Sequence, residues 1–305
     1  MAVSRRHMRM RAAAGGLLAA VCAAPAPGWA ADSGGDRPAR VMSLDHCADP
    51  YVLALAGRAR VAALSPRATD AYAYYAERAR GLPQTAPTAE NILMARPDLV
   101  VRFWGGAAQT GAMLARAGIP KVKLAYATDL DTTRDNLRKA GAALGARDKA
   151  RRMIAHMDRK LARIHARRLP KGERPTAVYV TPSGTTAGAG TFTDRLLTHA
   201  GLRNMAAARG RAGWFPLDLE RLALNPPDVI VTGFFDSTAR PDYWSIARHS
   251  FLRRLFDRVP VIRVPGRLLT CQAWYAVEAM AQIQDRLAEL PGMLRPQQTA
   301  VTEGP

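Results

Sequence analysis

The sequence predicts an α/β fold of two similar lobes with parallel-type sheets, joined by one long α-helix, with a ligand cleft between the lobes. The first observation is an internal repeat. A unit in which a Glu opens a short helix and Pro-Asp precedes an aliphatic strand occupies residues 90–101 and returns 130 residues later at 220–231. The second observation is a single long amphipathic segment between the two copies. A repeated strand–helix–strand unit on either side of one connector is typical of a two-lobed α/β protein.

Lobe one is predicted over residues 40–128. Short apolar runs at 41–44, 61–64 and 99–102 indicate buried strands, because each is followed by a helical pattern or a turn. A Tyr-rich helix is expected over 70–80. This alternation is typical of parallel βα units.

The connector is predicted over residues 129–172. A first helix is expected at 132–144, ending at Gly145, and a second at 147–168. The second would be roughly 33 Å long at 1.5 Å per residue. Its apolar stripe consists of Ala150, Ile154, Met157, Leu161 and Ile164.

Lobe two is predicted over residues 173–290. Strands are expected from residue 177, from residue 229 and from residue 261, with a final helix over 271–290. Residues 291–305 follow a proline and read as a loose polar tail.

The first 30 residues are predicted to be a cleavable signal peptide. Four arginines precede a weakly apolar core over residues 12–24, and Gly28–Trp29–Ala30 offers a small-x-small cleavage site. The core is too short to span a membrane. Both secretory and twin-arginine export remain open, and lipid anchoring at Cys22 is the less favoured alternative.

The chain is strongly basic, with a formal net charge of +19. Arginine and alanine are frequent throughout, no basic run is interleaved with aromatic residues, and no nucleic-acid-binding motif is present. The charge therefore predicts a solvated basic surface and no nucleic-acid partner.

The first turn reads Ser43-Leu44-x-x-Cys47-x-Asp49. This turn, the signal peptide, the paired Glu…Pro-Asp units and the single connector together resemble the periplasmic substrate-binding proteins with a helical backbone. The resemblance covers about residues 40–290. It implies a periplasmic protein that is not an enzyme and has no intrinsic cofactor, and nothing in the sequence requires more than a monomer. Such a protein captures a metal chelate and delivers it to an inner-membrane ABC permease and its ATPase. Corrinoids rank first as the chelate, ferric siderophores second and haem third.

The resemblance also implies that two surface glutamates, one in each lobe, dock on arginines of the permease. Glu90 and Glu220 match them, because each opens a Glu…Pro-Asp unit. Two carboxylates at a fixed separation would define orientation through charge-assisted pairs. The alternative is that each Glu only favours its own helix N-terminus.

Ligand residues are expected in the loops that follow the carboxyl ends of the strands, where parallel α/β units bind their ligands. Aromatic side chains there would suit a large, flat, partly apolar ligand. The predicted set is Asp45, His46, Cys47, Tyr74, Tyr75, Phe103, Trp104, Thr185, Trp214, Phe234, Phe235, Trp244 and Cys271.

The two cysteines left after cleavage, Cys47 and Cys271, allow three arrangements: free thiols facing each other at the cleft, a lobe-to-lobe disulfide, or two unrelated buried thiols. His46 and Cys47 are competent metal ligands, but neighbours on one turn seldom face the same ion and no third ligand is evident. No protein-built metal site is predicted.

Enzymatic function is disfavoured, because the sequence contains no nucleophile elbow, zinc-protease motif, Cys-x-x-Cys pair or phosphate-binding loop. The alternatives are a Cys-dependent enzyme, with Cys47 as nucleophile and His46 as base, and a sensor or partner-binding domain on the same fold.

Overall fold

The computed structural model describes residues 37–105, 107, 110–236 and 250–293. The predicted signal peptide, the predicted ligand residue Trp244 and residues 294–305 of the predicted tail lie outside these ranges. Within them the chain forms two sheets of parallel strands separated in sequence by a long helix, so the predicted two-lobed α/β fold is confirmed.

Four short parallel strands form the sheet of lobe one: β1 (Val41–Ser43), β2 (Val61–Ala63), β3 (Leu99–Arg102) and β4 (Lys121–Lys123). Their spatial order is β2-β1-β3-β4, and Val41 lies opposite both Val61 and Leu99. The two central strands are buried along their whole length, as expected for a parallel sheet covered on both faces. The helices of this lobe are α1 (Asp49–Leu55), α2 (Ala76–Ala79), α3 (Ala89–Ala95) and α4 (Gly111–Arg116).

Two antiparallel helices, α5 (Leu130–Ala143) and α6 (Arg147–Ala166), form the connector. Gly145 lies between them with a φ of 60°, which favours glycine and lets the chain reverse within a few residues. Helix α5 begins earlier than predicted, because the Asp129 side chain caps it by accepting the Thr132 N–H at 2.8 Å. Helix α6 ends two residues before the predicted boundary.

Lobe two contains a second parallel sheet and a small antiparallel ladder. Its strands are β5 (Thr176–Val180), β6 (Thr185–Ala187), β7 (Arg203–Asn204), β8 (Trp214–Pro216), β9 (Val229–Gly233) and β10 (Val261–Val264). The parallel sheet has the order β10-β9-β5-β7, and β6 pairs with β8. The helices are α7 (Phe192–Ala200), α8 (Met205–Ala208), α9 (Leu219–Leu224), α10 (Ser250–Arg258), α11 (Gly266–Leu269) and α12 (Ala276–Ala288).

Helix α6 packs against its connector partner α5 and against α7 and α12 of lobe two. Most of the predicted stripe is fully buried, and Ile154 is half-buried. Polar ties reinforce this packing: the Arg134 guanidinium on α5 donates to Asp158 on α6, and the Gln284 amide on α12 donates to the Ile164 carbonyl at 2.7 Å. Helix α6 is therefore held on two sides.

The repeated Pro-Asp units have the same hydrogen-bonding role in both lobes. The Asp98 carboxylate accepts the N–H groups of Ala39 and Arg40, at 2.8 and 2.9 Å. The Asp228 carboxylate accepts the N–H and the hydroxyl of Thr176, each at 2.7 Å. Each aspartate thus joins the turn before one central strand to the start of the neighbouring strand.

Two helices are shorter than predicted, and contacts between the lobes explain both. The helix expected over 70–80 is reduced to α2, because the segment before it is held by lobe two: the Tyr72 hydroxyl donates to the Phe234 carbonyl at 2.9 Å, and the Tyr72 carbonyl accepts the Thr270 hydroxyl. The final helix begins only at Ala276, because Cys271 has a φ of 69°, outside the helical region.

A disulfide between Cys47 and Cys271 joins the two lobes, with a Cα–Cα distance of 5.1 Å. Of the three arrangements open from the sequence, the structure contains the lobe-to-lobe bridge. The bridge closes a loop of more than two hundred residues, so it is a long-range constraint that adds to the connector.

Aromatic rings pack beside the disulfide. Trp274 meets Tyr51 of α1 edge-on with ring centroids 4.9 Å apart, and Tyr275 stacks on Tyr74 with centroids 3.9 Å apart and planes inclined by 10°. Trp274 and Tyr275 are buried although they follow the last strand of lobe two. This segment therefore contributes to the core that both lobes share.

Two histidines meet where α6 packs against α7. His165 Nε2 lies 2.8 Å from His199 Nδ1, and the two rings are nearly parallel. Burial, together with the nearby Arg168 guanidinium, lowers the pKa of His165 to about 4. Burial and the same arginine also lower the pKa of His199. Both imidazoles are therefore neutral in the folded protein at neutral pH.

We expect the disulfide to stabilise the folded state. The Cys47→Ser/Cys271→Ser variant should lose about 2–4 kcal/mol of the free energy of unfolding, because the unfolded chain regains the entropy that the bridge removes. Urea unfolding of the mature protein with and without reductant measures this loss. Reductant should bring the wild type close to the variant and leave the variant unchanged. Equal stability of the oxidised wild type and the variant would contradict the expectation.

The histidine pair should make stability decrease as the pH falls from about 6.5 to about 4. Over this interval the unfolded histidines bind protons that the folded pair does not, so the free energy of unfolding decreases with decreasing pH. Urea unfolding across this range measures the slope. In the His165→Gln/His199→Gln variant the slope should be smaller, and an unchanged slope would assign the pH dependence to other groups.

Candidate functional site

The loops that follow the carboxyl ends of the strands meet between the lobes and enclose a cavity of about 190 Å³. Lobe one contributes Tyr126, which lies three residues after the end of β4. Lobe two contributes the remaining lining residues. They are Tyr179, Phe192, Thr193, Leu196, Trp214, Phe234, Leu269, Thr270, Cys271 and Gln272. Five of these eleven lining residues are aromatic.

Aromatic pairs from the two lobes border this cavity. Trp214 lies edge-on to Tyr179, with centroids 6.0 Å apart, and Trp104 lies 5.6 Å from Tyr126. The two indoles are 47% and 59% exposed, although large apolar side chains are normally buried. Exposed indoles next to a cavity offer wide ring faces to a ligand.

The buried Tyr179 is fitted closely into lobe two. A Cβ on Gly233 would lie only 2.2 Å from the Tyr179 hydroxyl, so only glycine leaves room for this ring. Burial raises the pKa of Tyr179, and the phenol remains neutral. The ring is a rigid wall of the cavity.

Asp45 holds the predicted binding turn together and does not line the cavity. Its carboxylate accepts the N–H groups of Cys47 and Ala48, at 3.1 and 3.0 Å, and that of Phe103 at 2.7 Å. The pKa of Asp45 is raised by burial, an effect that these hydrogen bonds oppose. The carboxylate thus links the β1–α1 turn to the end of β3.

The other predicted residues of lobe one have separate positions. His46 Nδ1 lies 3.3 Å from the Arg67 carbonyl, outside the cavity lining. Phe103 is buried in the core. The Trp104 carbonyl accepts a hydrogen bond from the buried Arg102 guanidinium, which fixes the backbone before the exposed indole.

Tyr74 and Tyr75 were expected at the cleft, and the structure places them elsewhere. Both line a separate cavity beside α6, and the Tyr74 ring stacks on the Tyr275 ring. Of the tyrosines in this turn, Tyr72 contacts a lining residue of the cleft, because its ring meets Phe234 edge-on with centroids 5.2 Å apart. The closely spaced tyrosines cannot be distinguished by sequence pattern, because the turn that orients them depends on lobe two.

In lobe two the structure brings Trp214, Phe234 and Cys271 to the cavity. Phe235 packs on the core cluster on the other side of the sheet, and the Thr185 hydroxyl lies 3.0 Å from the Ser183 hydroxyl. Tyr126, Tyr179 and Phe192 were not predicted. Tyr126 follows a strand end, so the rule used for the other loops would have found it, whereas Tyr179 lies within a strand and reads as core.

Cys47 and Cys271 have no free thiol in this structure, because they form the disulfide. A disulfide sulfur is not the thiolate that nucleophilic catalysis requires. Among the described residues there is no group of three or more His, Cys, Asp or Glu side chains that could hold a metal ion. The cavity therefore offers surfaces for binding and no reactive side chain of the kind that the enzyme hypothesis invoked.

Glu90 and Glu220 occupy the same position in their helices. Thr88 caps α3 by accepting the Asn91 N–H at 3.2 Å, and Asp218 caps α9 by accepting the Arg221 N–H at 3.0 Å. Each glutamate is exposed and is the second residue after its cap. The caps fix both helix starts, so both carboxylates project from ordered backbone.

No helix among the described residues is both long and apolar enough to cross a membrane.

Comparison with protein-family models identifies one family. The family model described as "Periplasmic binding protein" matches residues 41–239. Comparison with curated protein sequences finds no match. The solved structures described next are 18–22% identical to this chain, so their likeness to it establishes the fold alone.

Similar solved structures cover most of the chain. The apo periplasmic heme-binding protein RhuT from Roseiflexus sp. RS-1 has 22% identity and a TM-score of 0.63, covering 81% of this chain and 98% of its own. A periplasmic heme-binding protein from Pseudomonas aeruginosa has 20% identity and a TM-score of 0.58, covering 81% and 91%. The periplasmic vitamin B12 binding protein BtuF of Vibrio cholerae has 18% identity and a TM-score of 0.61, covering 83% and 98%.

Proposed function

Since the chain belongs to the periplasmic binding protein family, we propose that it captures a planar metal chelate between its lobes and delivers it to the permease of an ABC importer. Its structural relatives include proteins that bind heme or vitamin B12. The ligand is transported cargo, and the protein makes or breaks no bond in it.

The aromatic lining of the cleft is the observation that carries this proposal. Tyr126 from lobe one and Tyr179, Trp214 and Phe234 from lobe two line the cavity, and the exposed Trp104 indole lies beside Tyr126. The cavity of about 190 Å³ is smaller than the roughly 300–1,000 Å³ typical of small-molecule sites. A larger ligand would therefore also cover the exposed indoles.

The cargo we favour is a tetrapyrrole-type chelate, either a corrinoid or haem, with a ferric siderophore as the alternative. A macrocycle brings its own equatorial metal ligands, which suits a cleft where the described residues form no metal-binding cluster. Its flat apolar body suits aromatic walls. The basic surface of the chain favours a ligand with carboxylate or phosphate groups.

Delivery requires a surface that recognises the permease, and the two glutamates supply matching elements. Four residues after each glutamate stands an exposed apolar side chain: Met94, which is 73% exposed, and Leu224, which is 80% exposed. Residues four apart share one face of a helix. Each lobe thus presents a carboxylate next to an apolar contact, which fits a partner surface with a cation beside an apolar pocket.

Replacing either exposed indole should weaken ligand binding. We expect Trp214→Ala and Trp104→Ala each to weaken the binding of the recognised chelate by about tenfold, because each removes a ring face from the site. Tryptophan fluorescence of the mature protein, titrated with cyanocobalamin, haem and a ferric hydroxamate and corrected for absorption, measures the affinity. Leu93→Ala, an exposed substitution far from the cavity lining, is the control. Wild-type affinity of both tryptophan variants for every chelate bound would exclude this cleft as the site.

Replacing the two glutamates should separate delivery from capture. The Glu90→Gln/Glu220→Gln variant should need about tenfold more protein for half-maximal stimulation of the importer ATPase, because two charge-assisted contacts are lost. Its affinity for the chelate should not change. The measurement uses the cognate permease and ATPase in liposomes.

The matched control for this experiment is Glu173→Gln/Glu289→Gln, which neutralises two other exposed glutamates. Loss of ATPase stimulation in both double variants would indicate a general charge effect. Loss of chelate affinity in Glu90→Gln/Glu220→Gln would show that these carboxylates serve the ligand site.

A further inference from the structure

A second cavity, of about 400 Å³, lies on the connector side of the molecule. It is bounded by α6, by the start of α12, and by Tyr74 and Tyr75 of lobe one. It shares no lining residue with the cleft cavity. Its volume falls within the range of small-molecule sites, which the cleft cavity alone does not reach.

The inner walls of this cavity are apolar and aromatic. Tyr74, Tyr75 and Trp274 form one side, and Met153 and Met157 of α6 form the other. Burial raises the pKa of Tyr74 to about 12, so its phenol remains a neutral hydrogen-bond donor. Methionine and aromatic side chains together fit a flat apolar body, because the flexible thioether adapts to the faces of a ring.

Basic side chains from α6 and from lobe one line the cavity. Lys149, Arg152 and His156 lie at helical spacing on one face of α6. From lobe one, the Arg78 guanidinium carbon lies 4.2 Å from the centre of the Tyr75 ring, so this charge is held at the cavity by a cation–π contact.

These charges are not neutralised locally. Arg78, Lys149 and Arg152 take part in none of the ion pairs found among the described residues. The one carboxylate in the lining, Glu278, is paired with Lys160 of α6. The cavity thus combines an apolar interior with an excess of positive charge at its edge.

We propose that this cavity is a second ligand site, which binds a small planar aromatic anion such as an aromatic carboxylate or sulfonate. The ring lies between the tyrosines and the methionines, and the acid group meets Arg152, Lys149 and Arg78. The site uses none of the residues assigned to the cleft, so it does not depend on the proposed transport function.

The probe for this site is 8-anilino-1-naphthalenesulfonate, a fluorescent aromatic anion. We expect saturable binding to the mature protein and about tenfold weaker binding by Lys149→Gln/Arg152→Gln, since two partly exposed charge contacts are lost. Arg159→Gln, an exposed substitution on the same helix but outside the lining, should bind like the wild type. The uncharged N-phenyl-1-naphthylamine should be insensitive to all of these changes.

A second variant tests the location of the site by filling the cavity. Met153→Trp should fill the cavity and abolish probe binding, whereas Trp214→Ala should leave it unchanged, as should saturating cyanocobalamin. Circular dichroism monitors folding, and the glutamine variants remain decisive if Met153→Trp does not fold. Equal affinity of Lys149→Gln/Arg152→Gln and Arg159→Gln for the probe would overturn the proposal. Loss of probe binding in Trp214→Ala, or its displacement by cyanocobalamin, would assign the probe to the cleft and overturn it as well.

Discussion

The structure depends on the Cys47–Cys271 disulfide, which bonds a segment of lobe two to lobe one. The connector helix joins the lobes on one side, and this bridge, with the Tyr51–Trp274 and Tyr74–Tyr275 contacts beside it, joins them at a second place. Two attachments restrict rotation of one lobe against the other far more than a single helix does. The disulfide thus gives this restriction a covalent basis.

In both duplicated units, the same local structure positions a surface glutamate and joins two strands of the sheet. In each copy a capped helix start fixes a glutamate at the surface, while the aspartate that follows joins neighbouring strands of the sheet. The exposed carboxylate is therefore positioned by backbone that the fold itself requires. The docking surface proposed above would need no ordering of a loop when the partner binds, which would reduce the entropy lost on association.

Much of the fold could be predicted from the sequence, because buried parallel strands and an amphipathic helix have local periodic patterns. The site was less predictable. Tyr74 and Tyr75 lie beside α6 instead of at the cleft, because the turn that orients them is fixed by two hydrogen bonds between Tyr72 and lobe two. Tyr179 reads as a core residue of a strand, and its place in the cleft depends on which face of the sheet meets the other lobe. The choice among three arrangements of Cys47 and Cys271 likewise required the relative position of the lobes.

Three polar side chains expected or found near the cleft already have partners within the protein, and none of the three lines the cavity. The Asp45 carboxylate accepts three backbone N–H groups, His46 is within hydrogen-bonding distance of the Arg67 carbonyl, and the Tyr72 hydroxyl donates to Phe234. The cavity itself offers a ligand five aromatic rings, together with the side chains of Thr193, Thr270 and Gln272. Stacking discriminates by planarity and contact area more than by the identity of a metal. A cleft of this kind would select the shape of a chelate and leave the coordination of its metal to the chelate itself.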